Sequence, residues 1–227
     1  MTDLEEFCRP GRFIDSNHPA VVELACDLTA AESSDAARAI ILYYWVRDEI
    51  RYNPYAVSAD PRDYRASHTL AAGEGWCVPK ATLLAALCRA VGLPARPGFA
   101  DVRNHLSTAR MRELMETDLF YFHGYTSIHI DGHWVKATPA FNLSLCERFE
   151  LLPLEFNGRD DSLYHPFDCS GRKHMEYVKD RGEYPDLPYE EMMAVFSEHY
   201  PRMMAALAAD LPAADWDSDV HRETGSR

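Results

Sequence analysis

Residues 75–96 read GWCVPKATLLAALCRAVGLPAR, and this stretch decides how the chain folds. Positions 78–91 are typical of a helix, because apolar side chains recur every three or four residues. Pro79 falls in the first turn, where its missing N–H costs nothing. Gly92 and Pro94 end the predicted helix. Its apolar face is made of Leu83, Leu84, Leu87 and Val91.

Cys77 stands at the first turn of this predicted helix, directly after Gly75 and Trp76. The first N–H groups of a helix have no partners within the helix, and the positive end of the helix dipole lies there. Both features favour a thiolate, so we expect a lowered pKa for the Cys77 thiol and treat it as a candidate nucleophile. The plainer interpretation, that a cysteine beside a tryptophan is a core residue, stays open.

A thiol nucleophile needs a general base, which is usually a histidine. Asp131-Gly132 between two alternating stretches predicts a two-residue hairpin turn, in which Ile130 pairs with His133. Carried along both strands, this register makes His123 a diagonal neighbour of Thr138, near enough for contact. His123 is therefore the preferred base among the ten histidines.

The other histidines lack this setting. His105 lies in an apparent loop after Asn104 and is the second choice of base. His129 and His133 crowd the hairpin tip and are expected at the surface. Alternation also divides the hairpin into two faces. One face carries His123, Tyr125, Trp134, Lys136 and Thr138, and the other carries Ile128, Ile130, Val135 and Ala137.

The segment 75–96 resembles the nucleophile region of the transglutaminase-like superfamily of papain-like cysteine enzymes. The family pattern has Gly-x-Cys, an alanine four residues after the cysteine, a leucine-rich helix ending Arg-Ala-x-Gly, and Pro-Ala-Arg, all of which are present. The family continues with a histidine-led strand, a turn and Trp-x-x-x-Asp-Pro-Thr, and this chain has His123, the Asp-Gly turn and WVKATP at 134–139. The resemblance covers roughly 36–142 and implies that Cys77 is the nucleophile and His123 the general base.

Thr138 occupies the position at which the family pattern has an aspartate. An aspartate orients the imidazole and stabilises its charged form, whereas a threonine hydroxyl accepts a hydrogen bond but carries no charge. Thiolate chemistry tolerates this loss better than serine chemistry, because a Cys–His ion pair forms before attack. Thr138 is the first choice of third catalytic residue, the nearby amide of Asn142 is the alternative, and Asp161 is a more remote one.

The composition is that of an ordinary globular protein, with 47% hydrophobic and 26% charged residues. The formal net charge is −13 and no run of Lys and Arg stands out, so we expect neither nucleic acid nor a membrane as partner. No apolar run approaches the ~20 residues of a membrane span, and the acidic N-terminus does not resemble a secretory signal. Six singly scattered cysteines predict a reducing, cytoplasmic location, and we expect no metal and no other cofactor.

The length suits one good-sized domain. Helical patterns dominate up to Gly92, including 36–51 after the capping residues 33–35, and strand patterns follow at 95–102 and in the hairpin. Further helices are expected over 108–116 and 189–209. We predict an α+β fold of the papain-like, transglutaminase-like type: a helical front half, with Cys77 at a helix N-terminus, packed on an antiparallel β-sheet. A single domain is expected over 1–209, with its motif region at 36–142, and a disordered tail over 210–227, which is charged and poor in apolar residues.

The leading functional hypothesis is a cysteine-dependent acyl-transfer enzyme. Cys77, activated by His123, attacks an amide or acyl carbonyl to form a thioester, which water or an amine resolves. Hydrolysis of an amide or peptide bond is preferred, because no feature marks a site for an amine donor. The substrate is expected to be a peptide, a protein or a small amide or acyl compound, and the oligomeric state stays open. The alternative, motivated by Thr138, is a catalytically weak or inactive module that binds a peptide or protein partner.

Overall fold

A computed structural model describes residues 4–104, 107–163, 169, 171, 175–209 and 216–224. His105, the second choice of base, lies outside the described residues, as do parts 210–215 and 225–227 of the expected tail. Within the described ranges, no helix has both the length and the apolar character needed to cross a membrane.

Helices predominate in the N-terminal part of the chain, up to Ala90. The Ser34 side chain accepts a hydrogen bond from the Ala37 N–H at 3.2 Å and begins α2, as the capping residues predict. Two short 3₁₀ helices span Glu6–Cys8 and Pro61–Tyr64. The α-helices are α1 (Pro19–Thr29), α2 (Asp35–Glu49), α3 (Ala66–Ala72), α4 (Cys77–Ala90), α5 (Ala109–Met115), α6 (Leu143–Arg148), α7 (Tyr189–His199), α8 (Pro201–Ala208) and α9 (Trp216–Thr224).

The strands form one main sheet and one short pair. The pair is parallel and joins β1 (Arg51–Tyr52) to β2 (Glu74–Gly75). The main sheet is antiparallel, with its strands in the order β5-β4-β3-β6. These strands are β3 (Ala95–Asn104), β4 (Leu119–Ile130), β5 (His133–Ala137) and β6 (Met175–Glu183). Helices packed on an antiparallel sheet confirm the predicted α+β class.

The hairpin between β4 and β5 has the predicted register. Ile130 pairs with His133, and Thr126 pairs with Ala137. Both residues of the turn, Asp131-Gly132, have positive φ angles of 49° and 89°, which a two-residue type I′ turn requires. The hairpin therefore presents the two faces that alternation predicts.

The core lies between α4 and the sheet. The Thr126 hydroxyl donates to the Ala81 carbonyl at 2.8 Å, which fixes β4 against α4. Burial of each leucine side chain contributes roughly 1.5–3 kcal/mol. Leu83, Leu84 and Leu87 of α4 share one buried cluster with Ile128, Ile130, Val135 and Ala137 of the hairpin. The apolar faces predicted for the helix and the hairpin are packed in the same core.

The helix predicted over 189–209 is two helices, α7 and α8, so the prediction of one continuous helix is wrong. Pro201 begins α8, where its missing N–H is tolerated. A proline also disfavours the helical conformation in the residue before it. Tyr200 accordingly has φ −126° and ψ 52°, and it separates the two helices.

Residues 216–224 form a helix, which differs from the disordered tail expected there. Trp216 is 5% exposed. Its ring lies 5.5 Å from that of Tyr55 and 6.1 Å from that of Tyr52. One large aromatic side chain buries enough apolar surface to dock a short segment that is otherwise polar. The extent of the domain over 1–209 stays a prediction.

Candidate active site

Cys77 is the first residue of α4. The short parallel pair of β1 and β2 positions the backbone just before it. Gly75 at the end of β2 pairs with Tyr52 of β1. Trp76 follows in an extended conformation as the residue before the helix. The Lys80 N–H then donates to the Trp76 carbonyl at 3.1 Å and closes the first turn. Cys77 therefore stands where the N–H groups of a helix have no intrahelical acceptors.

Strand β4 approaches the start of α4 so closely that a side chain at position 124 would crowd the helix backbone. A Cβ atom there would lie 3.0 Å from the Cα atom of Val78 and 3.2 Å from the carbonyl oxygen of Cys77. The Gly124 backbone also lies near enough to the Cys77 sulfur to act on the pKa of the thiol in the lowering direction. Because His123 directly precedes Gly124, the thiol lies against the backbone beside the predicted base.

His123 and Cys77 line one cavity. His123 pairs with Ala100 of β3, and it is 6% exposed, like Cys77. The cavity has an empty volume of about 420 Å³, including the part open to solvent. Aromatic and apolar residues make up the rest of its wall: Tyr52, Pro54, Val57, Trp76, Met111, Met115, Phe120, Tyr121, Phe196, Tyr200 and Met203. The structure thus brings the predicted nucleophile and base to the same enclosed space.

Burial raises the pKa of the Cys77 thiol to about 12, so the expected lowering is wrong for this structure. Backbone hydrogen bonds at Gly124, Val78 and Cys77 itself act in the lowering direction, but their effect is smaller. Side chains from α7 and α8 share the cavity, and a thiolate there loses its hydration. The sequence places Cys77 at a helix end, but it does not show which distant segment covers that end.

Helices α7 and α8 form a cover over the Cys77 cavity. Tyr200 attaches this cover to β4. Its hydroxyl donates to the Leu119 carbonyl at 2.8 Å and accepts a hydrogen bond from the Tyr121 N–H at 2.7 Å. Near the end of α7, the Phe196 ring lies 5.8 Å from the ring of Trp76. The C-terminal helices therefore cover the candidate site as well as complete the core.

An irregular stretch of β4 directly precedes His123. Phe122 has a left-handed φ of 57°, and the pairing of β4 with β3 shifts register at this point. Asp101 accepts hydrogen bonds from the Phe122 N–H at 3.2 Å and from Arg181 Nε at 2.5 Å. The Arg181 guanidinium also lies 4.4 Å from the centre of the Phe122 ring. A bulge of this kind re-aims neighbouring side chains, and the sequence analysis missed it.

Thr138 makes its hydrogen bonds to other parts of the chain. Its hydroxyl donates to the Leu163 carbonyl, and its N–H donates to the Ser162 carbonyl at 2.8 Å. Its carbonyl accepts the Tyr43 hydroxyl at 3.2 Å. These bonds tie the end of β5 to the segment around residue 162. A catalytic role for Thr138 stays a prediction.

The side chain of Asn142 caps the end of α2. Its Nδ2 donates to the carbonyls of Arg47 at 2.5 Å and Ile50 at 2.8 Å, and its Oδ1 accepts the Tyr52 N–H at 2.6 Å. Lys80 Nζ, which is fully buried, donates to the same two carbonyls at 2.9 and 2.5 Å. The structure uses the Asn142 amide to satisfy a helix end, and its alternative role as third catalytic residue stays a prediction.

The remaining polar candidates lie around the hairpin. Asp161 Oδ1 accepts the Lys136 N–H at 2.9 Å, which attaches Asp161 to β5. His133 is exposed and His129 is half-buried, with its ring 5.3 Å from that of Trp134. In the part of the chain that the structure describes, no three His, Cys, Asp or Glu residues are grouped to hold a metal ion.

Trp76 is a residue of the cavity wall to which the sequence analysis gave no role. Its side chain is buried, and its Nε1–H has no acceptor among the described residues. Buried donors in proteins are nearly always paired with an acceptor. Trp76 stands next to Cys77 in sequence and in the same cavity wall, and its Nε1 atom is shielded from solvent.

Comparison with known proteins identifies a family. The family model described as Transglutaminase-like superfamily matches residues 22–139, just over half of the chain. This range contains Cys77, His123 and Thr138. A search of curated proteins returned no match.

Comparison with solved structures identifies a fold. A "putative cysteine protease" from Cytophaga hutchinsonii superposes with a TM-score of 0.52 at 20% sequence identity, over 82% of this chain and 48% of that one. The chain therefore spans about half the length of that structure. A "putative protease" from Parabacteroides distasonis gives a TM-score of 0.39 at 15% identity, over 60% of this chain and 25% of that one. With the family match, the first of these confirms the predicted papain-like, transglutaminase-like fold.

Proposed function

The chain belongs to the transglutaminase-like superfamily, and on that premise we propose that it is a cysteine-dependent acyl-transfer enzyme that hydrolyses an amide or peptide bond. One observation carries the proposal. Cys77 and His123 line the same buried cavity. A thiol and an imidazole in one enclosed site are what nucleophilic catalysis by cysteine requires.

In the proposed reaction, His123 accepts the Cys77 thiol proton while the sulfur attacks the carbonyl carbon of the substrate. The tetrahedral intermediate collapses to a thioester, and the amine leaves with the proton that the imidazolium returns. Water then attacks the thioester and gives a proton to His123. The carboxylic acid departs, and the imidazolium returns that proton to the sulfur, which restores the thiol.

The developing oxyanion needs hydrogen-bond donors. The backbone N–H of Cys77 lies at the start of α4, where helix N–H groups have no intrahelical acceptors. Trp76 lines the same cavity, and its indole N–H has no acceptor among the described residues. We assign these two groups to the oxyanion, since donors fixed before the reaction stabilise its charge most effectively.

The substrate class and location are part of the same proposal. We propose a peptide, a protein or a small amide as substrate. The formal net charge of −13 disfavours polyanionic partners such as nucleic acid. The six cysteines are free thiols, which supports a reducing compartment such as the cytoplasm.

A catalytically inactive binding module is the second candidate function. Two observations favour it: Thr138 replaces the aspartate of the family pattern, and burial raises the pKa of Cys77 to about 12. In that case, the cavity binds a peptide or protein partner without forming a thioester. The two candidates differ in how readily Cys77 reacts at neutral pH.

Alkylation by iodoacetamide, mapped to each cysteine by mass spectrometry across pH 6 to 10, tests this difference. If His123 activates Cys77, we expect labelling of Cys77 at pH 7 to be at least about tenfold faster in the wild type than in His123→Ala, because a neighbouring imidazolium stabilises the thiolate. The exposed Cys26 is an internal reference thiol. His129→Ala alters a histidine of the same strand outside the cavity and should behave like the wild type.

The opposite outcome is equally clear. Labelling of Cys77 that rises only above pH ~9, and equally in the wild type and in His123→Ala, would show an unactivated thiol. That result would reject the enzyme and support the binding module.

A further inference from the structure

A second cavity lies on the exposed side of helices that also line the candidate site. On α5, Met111 lines the cavity of the candidate site, whereas Arg110 and Glu113 line the second one. Helix α8 is divided in the same way between Met203 and Arg202. The second cavity has about 500 Å³ of space that water-sized molecules can occupy. Sites for small molecules usually have volumes of about 300–1,000 Å³, so this cavity is large enough to be one.

Arginine side chains from three separate helices line this second cavity. They are Arg110 of α5, Arg202 of α8 and Arg222 of α9. Two carboxylates, those of Glu113 and Asp219, stand among them. With three arginines against two acids, the described lining has a net charge of +1, on a chain whose formal net charge is −13. An excess of positive charge in a concave site attracts anions.

Asp219 belongs to the fixed part of this cavity, and Arg110 is its unpaired cation. The Asp219 carboxylate accepts from the Tyr55 hydroxyl at 2.8 Å and pairs with Arg222 at 2.9 Å, and its side chain is 11% exposed. Within the described part of the chain, Arg110 forms no ion pair, and its guanidinium lies 5.8 Å from the centre of the Tyr55 ring. One guanidinium of the cavity is therefore left for a ligand.

Glu113 is the part of the cavity that a ligand can replace. It pairs with Arg202 at 2.6 Å, but the two side chains are 63% and 49% exposed. Ion pairs as exposed as this one contribute little to stability, so Glu113 can turn into solvent at small cost. Three guanidiniums and the Asp219 carboxylate then remain. The net charge of the lining becomes +2, which matches a dianion.

We propose that the second cavity binds a small phosphate monoester. At neutral pH, such a phosphate group carries nearly two negative charges and has three terminal oxygens that point in different directions. Guanidiniums from three helices meet these oxygens separately, whereas a carboxylate offers only two oxygens in one plane. The phosphate takes the place of Glu113 beside Arg202 and is also bound by Arg110 and Arg222. The organic part of the ligand contacts Leu114, which lines the same cavity.

Binding is tested by nuclear magnetic resonance on the ¹⁵N-labelled full chain. Phenyl phosphate is the probe, at pH 7.5 in a phosphate-free buffer of constant ionic strength. We expect saturable shifts of signals from α5, α8 and α9, with a dissociation constant of about 1 mM or lower. Benzoate has the same ring but a planar, singly charged group, and it should bind at least about tenfold more weakly.

Two changes of charge should move the affinity in opposite directions. Arg110→Gln removes the unpaired guanidinium and should weaken the binding of phenyl phosphate about tenfold. Glu113→Gln removes the internal competitor and should strengthen it about threefold. Arg159→Gln and Glu116→Gln are the matched controls. They make the same changes of charge at exposed residues outside the cavity and should alter the affinity less than about twofold.

The outcomes decide between a specific site and general attraction of anions. Shifts that grow linearly with ligand concentration, or equal affinities in Arg110→Gln and Arg159→Gln, would overturn the proposal. Benzoate that binds as tightly as phenyl phosphate would overturn it as well. The inference does not depend on the proposed function, so Cys77→Ala should bind phenyl phosphate like the wild type. Failure of either proposal would leave the other standing.

Discussion

At the scale of a single residue, the side chain of Asn142 joins two elements of the fold. Its amide satisfies carbonyls at the end of α2, and its oxygen accepts the N–H of Tyr52 in β1. Tyr52 in turn pairs with Gly75, two residues before Cys77. Asn142 therefore stabilises the backbone segment that positions the candidate nucleophile, Cys77.

Asn142→Ala is expected to destabilise the fold. It removes the acceptor of the buried Tyr52 N–H and leaves the Arg47 and Ile50 carbonyls with Lys80 alone, so the free energy of unfolding should fall by about 2–4 kcal/mol. Urea unfolding measures this loss. Asn157→Ala, which removes an exposed asparagine bonded to Asp160, should cost less than about 1 kcal/mol. Unchanged stability with a large loss of activity would instead favour the catalytic role.

At the scale of the element, the bulge in β4 lies directly before His123. Asp101 and Arg181 form a buried ion pair, and Asp101 also accepts the N–H of the left-handed Phe122. Breaking such a pair leaves an uncompensated charge, so Asp101→Asn should lower the free energy of unfolding by about 3 kcal/mol. It should also slow the His123-dependent labelling of Cys77.

Two variants control for the loss of the Asp101 charge. Combining Asp101→Asn with Arg181→Met removes both charges and should recover much of the stability. Glu113→Gln breaks the exposed pair with Arg202 and should change the free energy of unfolding by less than about 1 kcal/mol. If Asp101→Asn is as stable as the wild type and Cys77 is labelled at the normal rate, the bulge does not position His123.

The C-terminal cover makes a separate prediction, centred on Tyr200. Tyr200→Phe loses both hydrogen bonds to β4, so α7 and α8 should open more often and expose Cys77. Because burial is what raises the pKa of Cys77, we expect labelling at pH 8 to become about tenfold faster. Tyr189→Phe is the matched control. Tyr189 begins α7, which Tyr200 follows, and its hydroxyl donates to the Ala59 carbonyl. It does not line the cavity, so Tyr189→Phe should not accelerate labelling. Equal rates in both variants would contradict the cover.

Elements with local signals could be predicted from the sequence, and contacts between distant segments could not. The helix after Cys77 and the Asp131-Gly132 hairpin are encoded by spacing and turn residues, and both are found. The left-handed Phe122 depends on Asp101 and Arg181, which come from two other strands. The partners of Asn142 and the cover over Cys77 are likewise tertiary. Only the break at Pro201 had a local signal that the sequence analysis missed.

At the scale of the whole molecule, buried thiols and phenols make the fold sensitive to alkali. Burial raises the pKa of Cys77 and Cys146 to about 12, and it also raises the pKa of Cys88 and of Tyr64. In the unfolded chain, thiols ionise near pH ~8.5. Since the folded pKa values lie above the unfolded ones, the stability that these groups contribute is fully present below pH ~8. It is lost as the pH rises from about 9 towards 12.

The pH dependence of urea unfolding between pH 7 and 10.5 measures this loss. Each buried thiol should add a slope of up to about 1.4 kcal/mol per pH unit above pH ~9, because the unfolded state releases a proton that the folded state keeps. Cys88 is fully buried, so Cys88→Ala should remove one such contribution and flatten the profile. Cys26 is exposed in both states, so Cys26→Ala should leave the slope unchanged. If the profile of the wild type stays flat to pH 10.5, the thiols are in contact with solvent in the folded protein. That result would also contradict the enclosed cavity around Cys77.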